Sequence, residues 1–300
     1  MRGRQPHPDQ GGLKVLDLSD ITWMLSQGFF QRALIGGICA AVLCSVLGVF
    51  IVLRRQSLIG EGVSHLAFGG IAAGLFFSIY PLYMALVFAL FGTIAISLLQ
   101  KRKIVYSETA IGILFSLGLA LGAVLASMAG GFNVDLFGYL FGSILTVTEG
   151  DLIFVLVLAA VVLGFALVFY KELLHMTFDE PGARLAGVPV SHMDLVFNIV
   201  VALTVVISIK IVGSLLVSSL LIIPAASAMQ LSRSFKGTMV GGVIFSIVAV
   251  IDGLLVSFFY DIAAGGAIVL ISVVIFALSV LMKRSFYKVT VRTEVESCDD

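Results

Sequence analysis

Two side chains that could bind a metal ion lie four residues apart within an otherwise apolar stretch, residues 57–70. Glu61 and His65 would stack on one face of a helix, because residues at i and i+4 are neighbours on its surface. Ionisable side chains are costly inside a bilayer and by default mark an ion or substrate path. A carboxylate with an imidazole suits Zn²⁺ or Mn²⁺ better than an alkali ion. We therefore predict a transition-metal site at Glu61 and His65, with Ser64 as a possible path-lining residue; the alternative is that the two side chains satisfy each other or a backbone carbonyl.

Three further charged side chains lie in or beside apolar segments. Asp252 lies deep in one segment, where a bare carboxylate is costly, so it is predicted to line the path, to meet Lys210 or to accept from a backbone donor. Lys210 could instead extend to the outer interface. Glu108 precedes another apolar segment, where the helix dipole favours an acid, and is predicted to pair with the basic residues at 101–103.

The elements that must position these side chains are transmembrane helices. Of the 300 residues, 60% are hydrophobic and 12% are charged, whereas soluble domains carry about 25% charged residues. The sequence therefore predicts an all-α, polytopic transmembrane bundle. Segments of roughly 20 apolar residues, enough to span a bilayer, predict about nine spans, with eight to ten possible: 32–53, 62–80, 81–99, 109–128, 152–170, 195–212, 214–231, 238–259 and 265–282.

Charged residues in the connections predict the orientation of these spans. Basic residues follow the first, third, fifth, seventh and ninth spans, whereas the intervening connections carry acids and no Lys or Arg. The positive-inside rule then places the C-terminus in the cytoplasm and the N-terminus outside. Four basic residues near the N-terminus oppose this assignment: Arg2, Arg4, Lys14 and Arg32. The formal net charge of zero gives no reason to expect a nucleic-acid partner.

The predicted organisation is a single membrane domain, residues 28–284, between two polar ends. Residues 1–27 are predicted to be a disordered or interfacial lead-in, and residues 285–300 a cytoplasmic tail. A glycine-rich outer connection, residues 129–147, is predicted to hold a short or re-entrant helix. The three cysteines show no metal-ligand spacing and are predicted to act as small apolar residues where they lie in helices.

The longest cytoplasmic connection, residues 171–194, has the signals of a folded docking element. Asp179 could cap a short helix with Pro181 in its first turn, and Gly187 could end that helix before Pro189. A capped, partly apolar helix that projects into the cytoplasm suggests a surface for another protein. The alternative is an ordinary amphipathic connector.

The sequence holds no motif for an energy source or a catalytic centre of its own. It lacks the G-x-x-x-x-G-K-[ST] nucleotide loop, H-E-x-x-H and G-x-S-x-G. The chain is therefore predicted not to be an enzyme. A transporter of this kind would be driven by an ion gradient or by a partner subunit.

Several segments in order resemble the membrane permeases of bacterial zinc and manganese ABC importers, across about residues 50–282. Residues 57–65 are similar to the family pattern SL-x-G-D-x-x-S-H, with Glu61 in place of Asp. The resemblance continues through TAIGILFS at 109–116, YLFGSIL at 139–145 and the pattern F-D-x-x-x-A-x-x-x-G at 178–187. It ends with VGSLLVSSLLIIPAA at 212–226 and GGAIVL at 265–270. These likenesses imply a type II importer permease of the bacterial cytoplasmic membrane.

The resemblance implies partners and roles as well as a fold. The chain would pair with a second copy of itself, stand on a separate ATP-binding subunit and receive Mn²⁺ or Zn²⁺ from an extracellular metal-binding lipoprotein, with no cofactor of its own. The metal ligands would be Glu61 and His65, although the longer Glu arm changes the geometry of the site. The coupling helix would contain Asp179, Glu180, Ala183, Arg184 and Gly187.

Two other functions remain open on the sequence. One is a gradient-driven metal/proton transporter that uses Glu61, His65 and Asp252 as a proton relay. The other is an ABC permease for a vitamin B12 or siderophore-type substrate, which would not need a carboxylate–imidazole pair at its constriction.

Overall fold

The computed structural model describes residues 26–101, 107–129, 134–143 and 148–296, and in these ranges all the regular structure is helical. The bounds are α1 Gly28–Leu53, α2 Leu58–Phe76, α3 Pro81–Lys101, α4 Ser107–Met128, α5 Val134–Phe141, α6 Glu149–Val168, α7 Tyr170–Phe178, α8 Glu180–Leu185, α9 Val190–Val212, α10 Val217–Leu231, α11 Phe235–Tyr260 and α12 Ala264–Glu296. The predicted lead-in lies almost wholly outside the described residues. Where the sequence predicts a polar tail, the backbone of α12 stays helical to Glu296.

Eight of these helices are long and apolar enough to cross a membrane, and α10 is a shorter apolar helix. The predicted all-α bundle of about nine spans is therefore confirmed. At one end of the bundle Phe50 packs on Phe235 with ring centroids 5.3 Å apart. At the other end Phe30 packs edge-on against Phe258 at 5.9 Å. The helices α1 and α11 therefore run in opposite directions.

The short helix α10 ends where several basic connections meet. Its residue Gln230 accepts a hydrogen bond from Lys283 Nζ at 3.1 Å, and the next helix, α11, begins beside Phe50. Arg54, at the end of α1, pairs with Asp194 at the start of α9. These basic connections therefore meet at one end of the bundle, hereafter the basic end. That this end faces the cytoplasm stays a prediction from the positive-inside rule.

Glycines let α2 pack closely against its neighbours, because small residues allow membrane helices to approach each other. A Cβ on Gly118 of α4 would lie 2.5 Å from the carbonyl oxygen of His65, and one on Gly69 would lie 2.7 Å from the carbonyl oxygen of Gly118. Only hydrogen fits at this crossing. The position of α4 relative to His65 is therefore set by backbone contact.

The predicted short helix of the outer connection is present as α5. Gly142 ends it with φ +78°, and Gly213 ends α9 with φ +94°, conformations that favour glycine. Between them Ser214 N–H donates to Tyr139 O at 2.8 Å and Leu215 N–H donates to Leu140 O at 3.3 Å. These bonds fix α5 against the junction of α9 and α10.

Candidate metal site

Glu61 and His65 lie in α2 with the helical spacing that the sequence predicts. Glu61 occupies the first turn and is half-buried, whereas His65 is only 7% exposed. Ser64 donates its hydroxyl to the carbonyl oxygen of Glu61 at 2.9 Å. The hydroxyl proton of Ser64 is therefore used within the helix. It does not occupy the carboxylate of Glu61, which stays available to a ligand.

The imidazole of His65 has a nitrogen free for a ligand. Its Nδ1 is buried and has no hydrogen-bond partner, and its ring meets the edge of Phe115 with centroids 4.1 Å apart. In the described part of the chain no hydrogen bond joins Glu61 to His65. Buried polar atoms are normally paired, so this nitrogen suits a site that is completed by a bound ion.

A groove of about 230 Å³ lies between α2 and α4 beside Glu61, whereas His65 is not among the residues that line it. It is lined by Leu58, Glu61, Gly62, Glu108, Ile111, Gly112 and Phe115. The structure therefore places Glu108 and Glu61 along the same groove, which the sequence does not predict. Both acids lie in the first turns of their helices, where the helix dipoles favour negative charge even without a metal. The basic side chains at 101–103, which the sequence predicts to pair with Glu108, are not among the side chains that the structure describes.

The groove opens on the surface of the single chain. Glu108 and Gly112 are exposed, and small residues continue along the same face of α4 at Ser116, Ala120 and Ala123. Across the described residues no three His, Cys, Asp or Glu side chains lie close enough to hold a metal ion. Among these residues, one chain alone therefore does not bring a full set of metal ligands together.

Asp252 lies apart from this groove. It is exposed on α11, which packs against α1, α10 and α12. The predicted contact between Asp252 and Lys210 is wrong, because Lys210 Nζ binds Asp151 Oδ2 at 2.6 Å, and both side chains are buried. A path role for Asp252 stays a prediction.

The pair of Lys210 and Asp151 belongs to a polar cluster at the end of the bundle opposite the basic end. Asp151 also accepts from the backbone N–H of Thr148 at 2.8 Å and from the hydroxyl of Tyr80. Burial, followed by the hydrogen bond to Asp151, raises the pKa of Tyr80, so this hydroxyl keeps its proton. The cluster joins the α2–α3 connection to the ends of α6 and α9.

The connection between α7 and α9 is folded as the sequence predicts. Asp179 Oδ1 accepts from the N–H of Gly182 at 2.9 Å and caps α8, and Glu180 pairs with Arg184 at 2.6 Å. Gly187 follows the helix with φ +86°. Ala183 is fully buried, so one face of α8 is anchored to the bundle.

Two large apolar side chains of this connection are exposed, near the exposed Glu180 and Arg184. Leu185 is 91% exposed and Phe178 is 66% exposed. Large exposed apolar side chains on a rigid, capped helix are typical of a surface that binds another protein.

Comparisons with known proteins agree with the helical architecture. The profile of the ABC 3 transport family matches residues 26–283. The chain is 36% identical to the high-affinity zinc uptake system membrane protein ZnuB of Haemophilus influenzae over 84% of this chain and 96% of that protein. It is 33% identical to the manganese transport system membrane protein MntC of Halalkalibacterium halodurans, over 85% of this chain and 88% of that one. The solved structure of PsaBC from Streptococcus pneumoniae in complex with Fab is similar with a TM-score of 0.79 and 33% identity, covering 87% of this chain and 94% of that one.

Proposed function

The chain belongs to the ABC 3 transport family, a family of multi-pass plasma-membrane permeases, and from this premise we propose that it is the permease subunit of an ATP-driven importer of Zn²⁺ or Mn²⁺. The relatives support the choice of cargo, because one is named for zinc uptake and another for manganese transport. The observation that carries the proposal is the open groove with Glu61 and Glu108, together with the buried, unpaired nitrogen of His65 one turn further along α2.

Two copies of the chain would complete the coordination sphere. If their grooves face each other, two Glu61 carboxylates and two His65 imidazoles supply four ligands, the number that Zn²⁺ usually takes. Glu108 would add two more carboxylates, and oxygen-rich ligand sets suit Mn²⁺. Binding of the ion would draw the two copies together, so the same residues would act as a gate.

The exposed face of α4 supports the placement of the second copy. Gly112, Ser116, Ala120 and Ala123 form a line of small exposed residues that begins at the groove. Small residues allow two helices to approach closely in a membrane. Packing of this face against its own copy would bring both Glu108 residues to the symmetry axis, and the metal would pass between the copies.

The segment from Asp179 to Gly187 would couple the permease to a separate ATP-binding subunit. Leu185 and Phe178 offer the apolar contact, and the buried Ala183 makes α8 move with the bundle. The next helix, α9, packs on α2, which carries Glu61 and His65. A force on α8 would therefore reach the metal ligands through two packed helices. An extracellular metal-binding lipoprotein would deliver the ion at the opposite side.

Uptake of radioactive Zn²⁺ and Mn²⁺ by the assembled transporter tests this function. Glu61→Gln and His65→Ala should abolish uptake of the cargo metal, whereas Glu61→Asp, which keeps the carboxylate, should retain part of it. Asp261→Asn is the matched control, because Asp261 is an exposed acid outside the groove. Equal uptake by all four variants in folded protein would refute the site. Uptake that needs a proton gradient and no ATP would refute the ABC mechanism.

A further inference from the structure

A second polar cavity lies at the basic end of the bundle, between α3 and α9, with α8 at its rim. Its volume is about 260 Å³, far above the ~30 Å³ that one water occupies in the liquid, and its lining shares no residue with the metal groove. Ser97 and Asn198 lie on its walls, Arg184 and His192 contribute charged or titratable groups, and Ile94 and Leu98 make it partly apolar.

Two polar groups in this cavity have no partner. Asn198 is only 6% exposed, and its Oδ1 makes no hydrogen bond. The Oγ of Ser97 is also buried and unpaired. Leaving such atoms unpaired is costly, and the amide of Asn198 can present either its oxygen or its NH₂ group after a flip. Both walls are therefore set to hydrogen-bond a molecule that enters the cavity.

The charges around the cavity favour a phosphate over a metal ion. Arg184 and Arg54 lie on this side, each paired with one carboxylate, Glu180 and Asp194 respectively. Asp194 is the one carboxylate among the lining residues and is already paired with Arg54, so a cation would find too few ligands. Arg184 gives one N–H to Glu180 and keeps further donors for another oxygen. Arginine and neutral hydroxyl or amide donors are the groups that recognise phosphate oxygens.

The apolar wall connects the cavity to the membrane. Ile94 and Leu98 are 41% and 53% exposed, and they continue a line of exposed apolar side chains along α3 that includes Phe91 and Val87. These positions recur at three- and four-residue spacing and share one face of the helix. Apolar chains that lie on this face would end at the cavity.

We propose that this cavity binds a diacyl phospholipid. The phosphodiester lies against Arg184 and His192, the ester oxygens accept from Ser97 and the Asn198 amide, and the acyl chains follow the exposed face of α3. The bound lipid links α3 and α9 to the short helix α8. This proposal does not depend on which metal is transported.

Native mass spectrometry of the purified protein tests this site with dioleoyl phosphatidylethanolamine as the probe. We expect one retained phospholipid per chain, no comparable retention of dioleoylglycerol, and no competition by an equal concentration of soluble glycerophosphoethanolamine. Retention of dioleoylglycerol at the same level would show that the phosphate is not recognised. Equal competition by the soluble headgroup would show that the acyl chains contribute nothing, and a soluble phosphate compound would then replace the lipid.

Matched variants locate the site within the chain. His192→Ala removes an exposed cavity residue, and His175→Ala removes an exposed histidine outside the cavity. We expect His192→Ala combined with Ser97→Ala to weaken lipid retention by about tenfold, since each removes a hydrogen bond to the lipid, and His175→Ala to leave it unchanged. Asn198→Leu should weaken retention in the same way. Equal retention in the double variant and the His175→Ala control would overturn the assignment.

Discussion

Gly118→Ala should separate the two helices that form the metal groove. The added Cβ would lie 2.5 Å from both the carbonyl oxygen of His65 and the Cα of Leu66, whereas ordinary contacts begin near 3.4 Å. Since both obstacles are backbone atoms, no side-chain rotation relieves the clash. Helix α4 must retreat by about 1 Å, which is enough to forfeit much of the dispersion energy at the contact. Glu108 would then move away from Glu61.

The expected loss of stability follows from two opposing effects. Overpacking costs about 1–3 kcal/mol, and alanine recovers up to about 1 kcal/mol of helix propensity over glycine. With the full gain in propensity the net loss is about 0–2 kcal/mol, or a fall in Tm of up to roughly 8 °C for a chain of this size. Thermal unfolding in detergent measures Tm, and metal uptake by the assembled transporter should fall severalfold because the proposed ligands are displaced.

Gly164→Ala is the matched control for this substitution. A Cβ on Gly164, in the helix α6, would meet no atom within 4 Å. We expect this variant to keep full uptake and to gain about 0.5–1 kcal/mol of stability. If Gly118→Ala were as stable and as active as Gly164→Ala, the close approach of α2 and α4 would not position the metal ligands.

Three further substitutions test other parts of the structure. Lys210→Met should cost about 3–5 kcal/mol in thermal unfolding, because it leaves the buried Asp151 carboxylate without its cation; an unchanged Tm would mean that the pair contributes nothing. Asp179→Ala should remove the cap of α8, which is worth about 1 kcal/mol, and should reduce co-purification of the ATP-binding subunit. Undiminished co-purification would show that the capped helix α8 does not couple the chain to that subunit. A path role for Asp252 predicts that Asp252→Asn lowers metal uptake at unchanged Tm, and normal uptake would remove Asp252 from the path.

Local patterns in the sequence predict much of the fold and part of the site. The number of apolar helices, the placement of Glu61 and His65 on one helical face, and the cap of α8 by Asp179 all depend on residues within a few positions of each other. Periodicity and capping chemistry determine such features directly. The short helix α10 is found in the same way, as an apolar segment.

Contacts between distant segments could not be predicted in this way. The groove joins Glu61 to Glu108, and the buried ion pair joins Asp151 to Lys210, 59 residues later. Each depends on which helices pack together and at what distance, and a single sequence does not encode that locally. An acid in the first turn of both α2 and α4 was the available signal for Glu108, but the helix dipole explains such acids equally well.

Anomalous scattering at the manganese or zinc edge, from crystals of the assembled transporter loaded with that metal, tests the central claim most directly. The proposed site predicts a peak on the symmetry axis between two copies, about 2.0–2.2 Å from His65 nitrogen and Glu61 oxygen of each copy. A metal bound elsewhere, with Glu61 and His65 of both copies turned toward lipid, would contradict it.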